Sequence, residues 1–482
     1  MQLKTKSRIR LPLSKLVTSH RPWRNMALFV LADLAGLGLS AIVTVLVRWW
    51  LGGEFHPSLY WQWWPILGLF VLAYGMVGLY PGIGISPVDE LRWSSSATTL
   101  IYLVVGVAIF MARKEVVYSR SIFIVAWGLS LLAFPIARGC VRYLFANKPW
   151  WGCPVMVLGA GKTGELVIRT LKHHPGLGLK PVVVLDDDPS KQGHLHGVPV
   201  MGGIKHAPRL TRQLGVTYAI LAMPGVSPGR LLDMLETYGR TFDHLLVIPD
   251  LFGFASLWVA PMDLGGLLAL DVRQQLLLPL PRLTKNCIDL LLTFVIGSLS
   301  LPVLLLIMLA IKLDSAGPIF YTQKRLGQNG QSFQAIKFRT MDKNAEQLLE
   351  YHFQQQPHLR DLWQQEQKLR QDPRLTRVGK FLRRTSLDEL PQLWNVLRGE
   401  MSLVGPRPII TAEVPRYEEK FTLYTKVKPG LTGLWQVSGR NNISYEERVN
   451  LDAYYVRNWS VWLDLYILLR TVWVVITAEG AY

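Results

Sequence analysis

Five apolar runs constrain this chain more than any other feature: Met26–Val47, Trp61–Leu79, Ala97–Met111, Ser121–Ala137 and Cys287–Leu313. About 30 Å of hydrocarbon takes roughly 20 apolar residues in a helix, so runs of this kind belong in a bilayer. The first, second and fifth reach that length, and the third and fourth are short for a span. Seven Lys or Arg precede the first run, and Arg138, Arg142 and Lys148 follow the fourth. The positive-inside rule then predicts a four-helix transmembrane bundle over 1–148 with both ends in the cytoplasm. Arg113, Lys114 and Arg120 in the intervening loop pull mildly the other way. Many of the 17 tryptophans lie beside these runs, where an amphipathic ring suits the membrane–water interface.

The formal charge of +18 points to anionic partners. Anionic lipid or phosphorylated small molecules are expected, and nucleic acid is not. Three cysteines (Cys140, Cys153 and Cys287), none in a CxxC pair, give no disulfide framework or zinc site.

Past Trp150 the pattern alternates. Strands are expected at Pro154–Leu158, Pro181–Leu185, Tyr218–Ala222 and Leu245–Ile248, making a Rossmann-like α/β domain over 149–255. Gly159-x-Gly161-x-x-Gly164 follows the first strand and Asp186 follows the second, the spacing of a dinucleotide fingerprint. Those glycines are candidate cofactor-binding positions, although a regulatory or dimerising role suits the domain better.

An apolar linker, 256–284, leads to the fifth run. Four crossings return the chain to the cytoplasm, so a fifth would carry the basic C-terminal domain, 285–482, outside, away from nucleotide-activated substrates. Pro302 removes a helix N–H and frees the Ser298 carbonyl, while Ser298 and Ser300 hydroxyls can serve exposed backbone. A re-entrant helix over 287–313 is therefore expected.

Between 320 and 440, basic and turn residues gather as at a phosphate site: Lys324 and Arg325, then Lys337-Phe-Arg339-Thr-Met341, then Arg374, Arg377, Lys380, Arg383 and Arg384. They run into Thr385-Ser386-Leu387-Asp388-Glu389. A Gln-rich stretch, 353–371, is expected to be an exposed helix. No cysteine follows Cys287 and every histidine lies at or before His358, which leaves a carboxylate as the nucleophile that needs no partner base. Adjacent carboxylates on a helix diverge by about 100°, so one is expected to attack phosphorus and the other to hold a divalent ion. The same residues also read as a capped helix start, with Thr385 or Ser386 as the cap.

Lys324-Arg325, Lys337–Met341, Leu382-Arg-Arg-Thr-Ser-Leu-Asp-Glu-Leu-Pro-Gln392, Val404-Gly-Pro-Arg-Pro408 and Lys428-Pro-Gly-Leu-Thr-Gly433, in that order, resemble the bacterial sugar transferases that move hexose-1-phosphate onto polyprenyl phosphate. The resemblance implies Asp388 as nucleophile and Glu389 as the residue associated with Mg2+. It implies phosphate contacts for Arg383 and Arg407, to which Lys324, Arg325 and Arg384 are added as candidates, and a further family carboxylate at Asp464. It also implies a bacterial inner membrane with a mostly helical catalytic domain on its cytoplasmic face, taking a UDP-sugar and undecaprenyl phosphate, and a homodimer is expected. Gly433–Ile443 favours the galactose branch over the glucose branch. A nicotinamide-dependent nucleotide-sugar enzyme and a nucleotide-sensing membrane scaffold are the competing classes.

Overall fold

The computed structural model describes residues 22–52, 64–111, 120–249, 259–263, 268–272, 276, 278–342, 344–355, 372–439 and 443–477. It divides into two compact units, Met1–Leu251 and Phe252–Tyr482.

In the first unit, α1 (Pro22–Trp50), α2 (Ile66–Met76), α3 (Pro87–Met111) and α4 (Arg120–Phe145) form a bundle. The helices α1, α3 and α4 are long and apolar enough to cross a membrane. The last two extend well past the apolar runs that announce them, because polar residues facing other helices dilute the hydropathy. The second run differs from expectation. Its helix has 11 residues, ~16 Å of rise, which is about half a hydrocarbon core; Trp61–Trp63 lie outside the described residues. The crossing-parity argument for the fifth run loses its footing there.

The positive-inside reading of Arg138 and Arg142 is also corrected. Both lie within α4 and are ion-paired. Arg138, 1% exposed, holds Asp33 of α1 at 2.7 Å and Glu90 of α3 at 2.7 Å, and Arg142 holds Glu90 at 2.6 Å. Arg138 also donates to the Leu79 carbonyl, and the Tyr80 hydroxyl donates to Asp33. A charge inside an apolar bundle is tolerated only when paired, and here two cations meet two anions.

A parallel sheet follows: β1 (Cys153–Leu158), β2 (Leu179–Leu185), β4 (Val198–Val200), β5 (Tyr218–Leu221) and β6 (His244–Val247), with β3 (Gly193–Leu195) antiparallel to β4 at one edge. The order is β3-β4-β2-β1-β5-β6. The four expected strands form within two residues of their expected ends, and the β3–β4 edge hairpin is additional. Helices α5 (Lys162–His173), α6 (Ala207–Leu214) and α7 (Pro228–Tyr238) supply amphipathic cover, with Leu210, Leu214 and Met234 in the core beside Met156, Leu158 and Leu185.

The second unit opens with a hairpin, β7 (Val259–Asp263) and β8 (Leu268–Val272), inside the stretch expected to be a linker. Helix α8 then runs from Pro279 to Asp314, 36 residues with Pro302 inside. Only Lys285, Asp289, Thr293, Ile307 and Ile311 are buried along it, and Leu291, Phe294, Leu299, Leu305, Leu306 and Leu309 are exposed, an apolar surface available to lipid. The Ser300 hydroxyl donates to Ile296 O at 2.7 Å rather than serving the carbonyl that Pro302 frees. Beyond α8 come an antiparallel hairpin, β9 (Phe320–Leu326) and β10 (Ser332–Phe338), then α9 (Ala345–Gln355), α10 (Arg377–Thr385), a 3-10 turn (Leu387–Gln392), the parallel pair β11 (Ser402–Val404) and β12 (Gly430–Thr432), α11 (Tyr445–Asn458) and α12 (Val461–Thr477). Of the Gln-rich stretch, α9 covers the start and 356–371 lie outside the described residues.

Candidate active site

The Asp388 turn gains its neighbours through packing that sequence spacing does not show. Ile307 and Ile311 of α8 pack with Phe338 at the end of β10 and Leu382 of α10, and Leu387 joins that cluster. The membrane helix, the hairpin and the acidic turn thus share one core. Burying four such side chains contributes on the order of 6–12 kcal/mol, an upper estimate because the unfolded chain is itself partly collapsed.

The pleat of the hairpin sorts its cations. Lys337 stands opposite Tyr321 and Arg325 opposite Phe333. Successive residues alternate faces, so Lys337, Gln323 and Arg325 share one face and Lys324 takes the other. Lys337 Nζ donates to Glu389 Oε1 at 2.6 Å. Arg325 donates to Pro408 O at 3.1 Å and to Gln323 Oε1 at 2.7 Å, and lies 3.8 Å from Glu413. Arg325 is thereby tied to the Val404–Pro408 segment that carries Arg407. Lys324 is exposed on the opposite face. Its expected phosphate contact therefore places it on the wrong side of the strand.

Asn395 fixes the turn to the hairpin. Fully buried, it accepts the Ile336 N–H at 3.1 Å and donates to Gln334 O at 2.8 Å and to Glu400 at 2.6 Å. A buried amide with all these partners costs little; one left unpaired costs ~1–3 kcal/mol. The glycines of the two later motifs have a similar purpose. Gly405 and Gly430 lie where β11 and β12 pair, and a Cβ on either would collide with the other's backbone. Hence the Val404–Pro408 and Lys428–Gly433 motifs come as a pair.

Asp388 and Glu389 sit in the first turn of the 3-10 segment. The capped-helix reading of this stretch is not what forms. Ser386 is left-handed, φ 56°, with no side-chain cap bond, and the Thr385 hydroxyl donates back to Phe381 O. The two acids have opposite electrostatic settings. Burial, then the neighbouring Glu389 charge, push Asp388 up to about 6 against the pull of Lys337 and Arg383. Burial works to raise Glu389 as well, but Lys337, Arg407 and Arg325 outweigh it and hold it below its usual range. Glu389 is ionised at neutral pH, while Asp388 titrates nearby.

Arg383 donates to the Thr340 hydroxyl at 3.1 Å and lies 3.9 Å from Asp372, within electrostatic reach of Asp388. Arg384 follows it by one helical position and is exposed, turned by about 100°. Arg407 lies over the Trp435 ring at 5.3 Å. The structure therefore gathers Asp388, Glu389, Arg325, Arg383 and Arg407, gives Lys337 of the Lys337–Met341 motif a definite place against Glu389, and adds Asn395, which sequence reasoning missed. The strand alternation Gln323, Arg325 and Lys337 was the available signal for the lysine. Asp464 is built differently: 5% exposed, it accepts from Lys285 at 2.8 Å, Tyr455 at 2.7 Å and Trp459 at 2.9 Å. Those bonds bind α12 to α8, which gives the residue an anchoring role.

Among the described residues no three His, Cys, Asp or Glu form a metal cage. The pair fits only an ion that takes most of its oxygens from phosphate and water, which is the habit of Mg2+. In the first unit, Gly159 has φ 112° and Gly164 lies against the Gly159 carbonyl, the tight turn and close helix approach of a fingerprint. Gly161 leaves open space. Asp186, however, accepts the Ala160 N–H at 2.7 Å, the Asp188 N–H at 2.9 Å and Lys191 at 3.2 Å. Acid and glycine loop are bonded to each other rather than presented to a ligand.

Comparison with known proteins accounts for both units. The model of the bacterial sugar transferase family matches residues 280–478, and that of a CoA-binding domain matches 77–249. A UDP-galactose-lipid carrier transferase of Erwinia amylovora is 38% identical over 392 residues, 80% of this chain and 81% of that protein. An undecaprenyl-phosphate galactose phosphotransferase of Salmonella typhimurium is 32% identical over 388 residues, 80% and 81%. A UDP-glucose:undecaprenyl-phosphate glucose-1-phosphate transferase of Escherichia coli is 32% identical over 378 residues, 75% and 76%. With its motifs, its acidic turn and relatives aligned across four-fifths of its length, this chain belongs to the bacterial sugar transferase family.

Proposed function

We propose that the protein transfers galactose-1-phosphate from UDP-galactose to undecaprenyl phosphate through a covalent intermediate on Asp388. The observation that carries this reading is the asymmetry of the acidic pair: a carboxylate pushed up to about 6 beside an ionised one, faced by Lys337, Arg325 and Arg407. An under-compensated carboxylate among cations suits a nucleophile whose partner is a polyanion.

In the first step an Asp388 oxygen attacks the β-phosphorus of the nucleotide sugar. The bond from that phosphorus to the bridging oxygen breaks, and UMP leaves with the electron pair. In the second, an oxygen of the lipid phosphate attacks the same phosphorus and the Asp388 carboxylate leaves, giving a lipid diphosphate sugar. One phosphoanhydride is lost and one is made, so the overall reaction is close to balanced. Lys337, Arg325 and Arg407 bind the diphosphate and stabilise the charge that develops on the equatorial and leaving oxygens; one such contact is worth about 3 kcal/mol. Glu389 would hold Mg2+, which when bound supplies further charge neutralisation. Asn395 and the β9–β10 hairpin hold Lys337 in its short bond to Glu389, which leaves the nucleophile to feel the lysine's charge without being bonded to it.

The helix α8 is proposed to enter and leave the cytoplasmic leaflet on one face, bent at Pro302, which sets the site at head-group depth. Relatives named for galactose and for glucose both align, so the sugar is the finer part of the proposal. The test is UMP release by purified protein with UDP-galactose or UDP-glucose, Mg2+ and undecaprenyl phosphate. Turnover is expected with UDP-galactose, to depend on the lipid, and to vanish in Asp388→Asn. Faster turnover with UDP-glucose would reassign the sugar, and no release with either would end the proposal. A nicotinamide enzyme is disfavoured by Asp186, whose bond to Ala160 occupies the groups a dinucleotide needs.

A further inference from the structure

Arg339 lies at the point where α8 ends and β10 gives out, and nothing above uses it. It is 9% exposed. One nitrogen, Nη2, donates to Ser315 O at 2.7 Å and Ser315 Oγ at 2.8 Å, just past the C-terminus of α8. The other two, Nε and Nη1, are buried with no partner. Among the described residues no carboxylate pairs with it. Gly317, at φ 131°, lies directly against Nη1, and any side chain there would strike the guanidinium.

A cation at a helix C-terminus is worth having, and the Ser315 bonds fit that role. Capping explains one nitrogen out of three. A buried guanidinium with two idle donors and no counter-charge costs several kcal/mol, and a ligand anion removes that cost. The depth of the group says which anion. Leu305, Leu306, Leu309 and Leu313 on the last turns of α8 are 56%, 67%, 57% and 78% exposed, a surface for acyl chains, and Arg339 bonds Ser315, the residue after Asp314. That is head-group level. A nucleotide sugar arriving from water meets Lys337, Arg325 and Arg407 instead. Continuing the strand alternation, Arg339 falls on the same side as Lys337, and its neighbour Thr340 holds Arg383.

We propose that Arg339 binds the phosphate of a membrane lipid, holding the acceptor phosphate where α8 ends, at the membrane end of the hairpin strand that carries Lys337. This rests on the transfer reaction proposed above, and two assays separate the two ideas. The donor half-reaction is followed as exchange of labelled UMP into UDP-galactose with no lipid present. The full reaction is followed against undecaprenyl phosphate concentration in non-ionic detergent, with and without added phosphatidylglycerol. The variants are Arg339→Gln and Gly317→Ala; the second keeps the charge but displaces it, and thermal unfolding reports on both.

The expected result is a KM for the lipid raised about tenfold to a hundredfold in both variants, a range set by one charge-assisted contact. UMP exchange and the KM for UDP-galactose should stay within about twofold of wild type. A lipid effect seen in detergent alone assigns the group to the acceptor's phosphate. An effect seen only when phosphatidylglycerol is present assigns it to the head groups of bulk lipid. Loss of UMP exchange in proportion to the full reaction would overturn the proposal and leave Arg339 as a structural cap, as would an unchanged lipid KM. Absence of UMP exchange in the wild type would instead count against the covalent mechanism.

Discussion

Two regions of this molecule bury charge, and they do so to different ends. In the helical bundle, Arg138 and Arg142 meet Asp33 and Glu90, two cations to two anions, with Tyr80 and the Leu79 and Gly82 carbonyls adding further bonds and Arg142 Nε left without a partner. At the Asp388 turn, Lys337, Arg325, Arg383 and Arg407 surround two carboxylates, and only Glu389 is directly bonded. A buried cluster closed on itself holds helices together. One left open by surplus charge waits for a ligand. Asp464 makes the contrast within a single unit, since three donors already hold it.

The comparison can be broken most forcefully at Asp388. Asp388→Asn should lower UMP turnover by more than about a thousandfold, the loss typical of a covalent nucleophile. It should also make the protein more stable. The folded-state value of Asp388 is raised from 3.8 to about 6, so stability is lost as pH rises from the first value through the second and stays lost above it. Partial exposure cuts the shift to roughly 1 kcal/mol, a rise of about 2–4 °C in Tm at pH 8 that disappears near pH 4.

Arg138→Leu should do the opposite. Leaving Asp33 and Glu90 buried without their cation costs about 3–5 kcal/mol, read as a lower Tm, while kcat/KM of the protein that folds stays within about twofold. Lys337→Gln should sit between these, with a loss of about a hundredfold at pH 7. It also removes the lysine that pulls Asp388 down, so the acid limb of the pH–rate profile should move to higher pH. In the wild type that limb should fall about tenfold per pH unit below pH 6, because only the ionised carboxylate attacks. The smallest effect belongs to Lys324→Gln, on the outer face of the hairpin, at less than about twofold in kcat/KM. A Lys324 effect as large as that of Lys337 would undo the assignment of faces.

What the sequence made legible was local. Strands of the α/β domain show as short apolar runs between turn residues, and Asp388–Glu389 shows because nothing else nearby can attack phosphorus. Burial by distant partners did not show. The helix α3 begins at Pro87, ten residues before its apolar run, because Glu90 and Ser94 face other helices. Arg138 looked like a flanking charge because its partners lie 48 and 105 residues away. Asp464 looked like a site carboxylate for the same reason, its main partner being Lys285, 179 residues earlier. Asn395 carries no motif signal at all; only the hairpin packed against it gives the side chain its purpose.

The central claim is that the open cluster makes Asp388 a nucleophile, and it is tested most directly by weighing the protein. Purified enzyme is mixed with UDP-galactose and Mg2+ without lipid, quenched in acid, digested and analysed by mass spectrometry. The account predicts a hexose-phosphate adduct on the peptide containing Asp388, released by hydroxylamine and discharged by undecaprenyl phosphate. An adduct that persists in Asp388→Asn, or its absence from an enzyme that turns over, would contradict it.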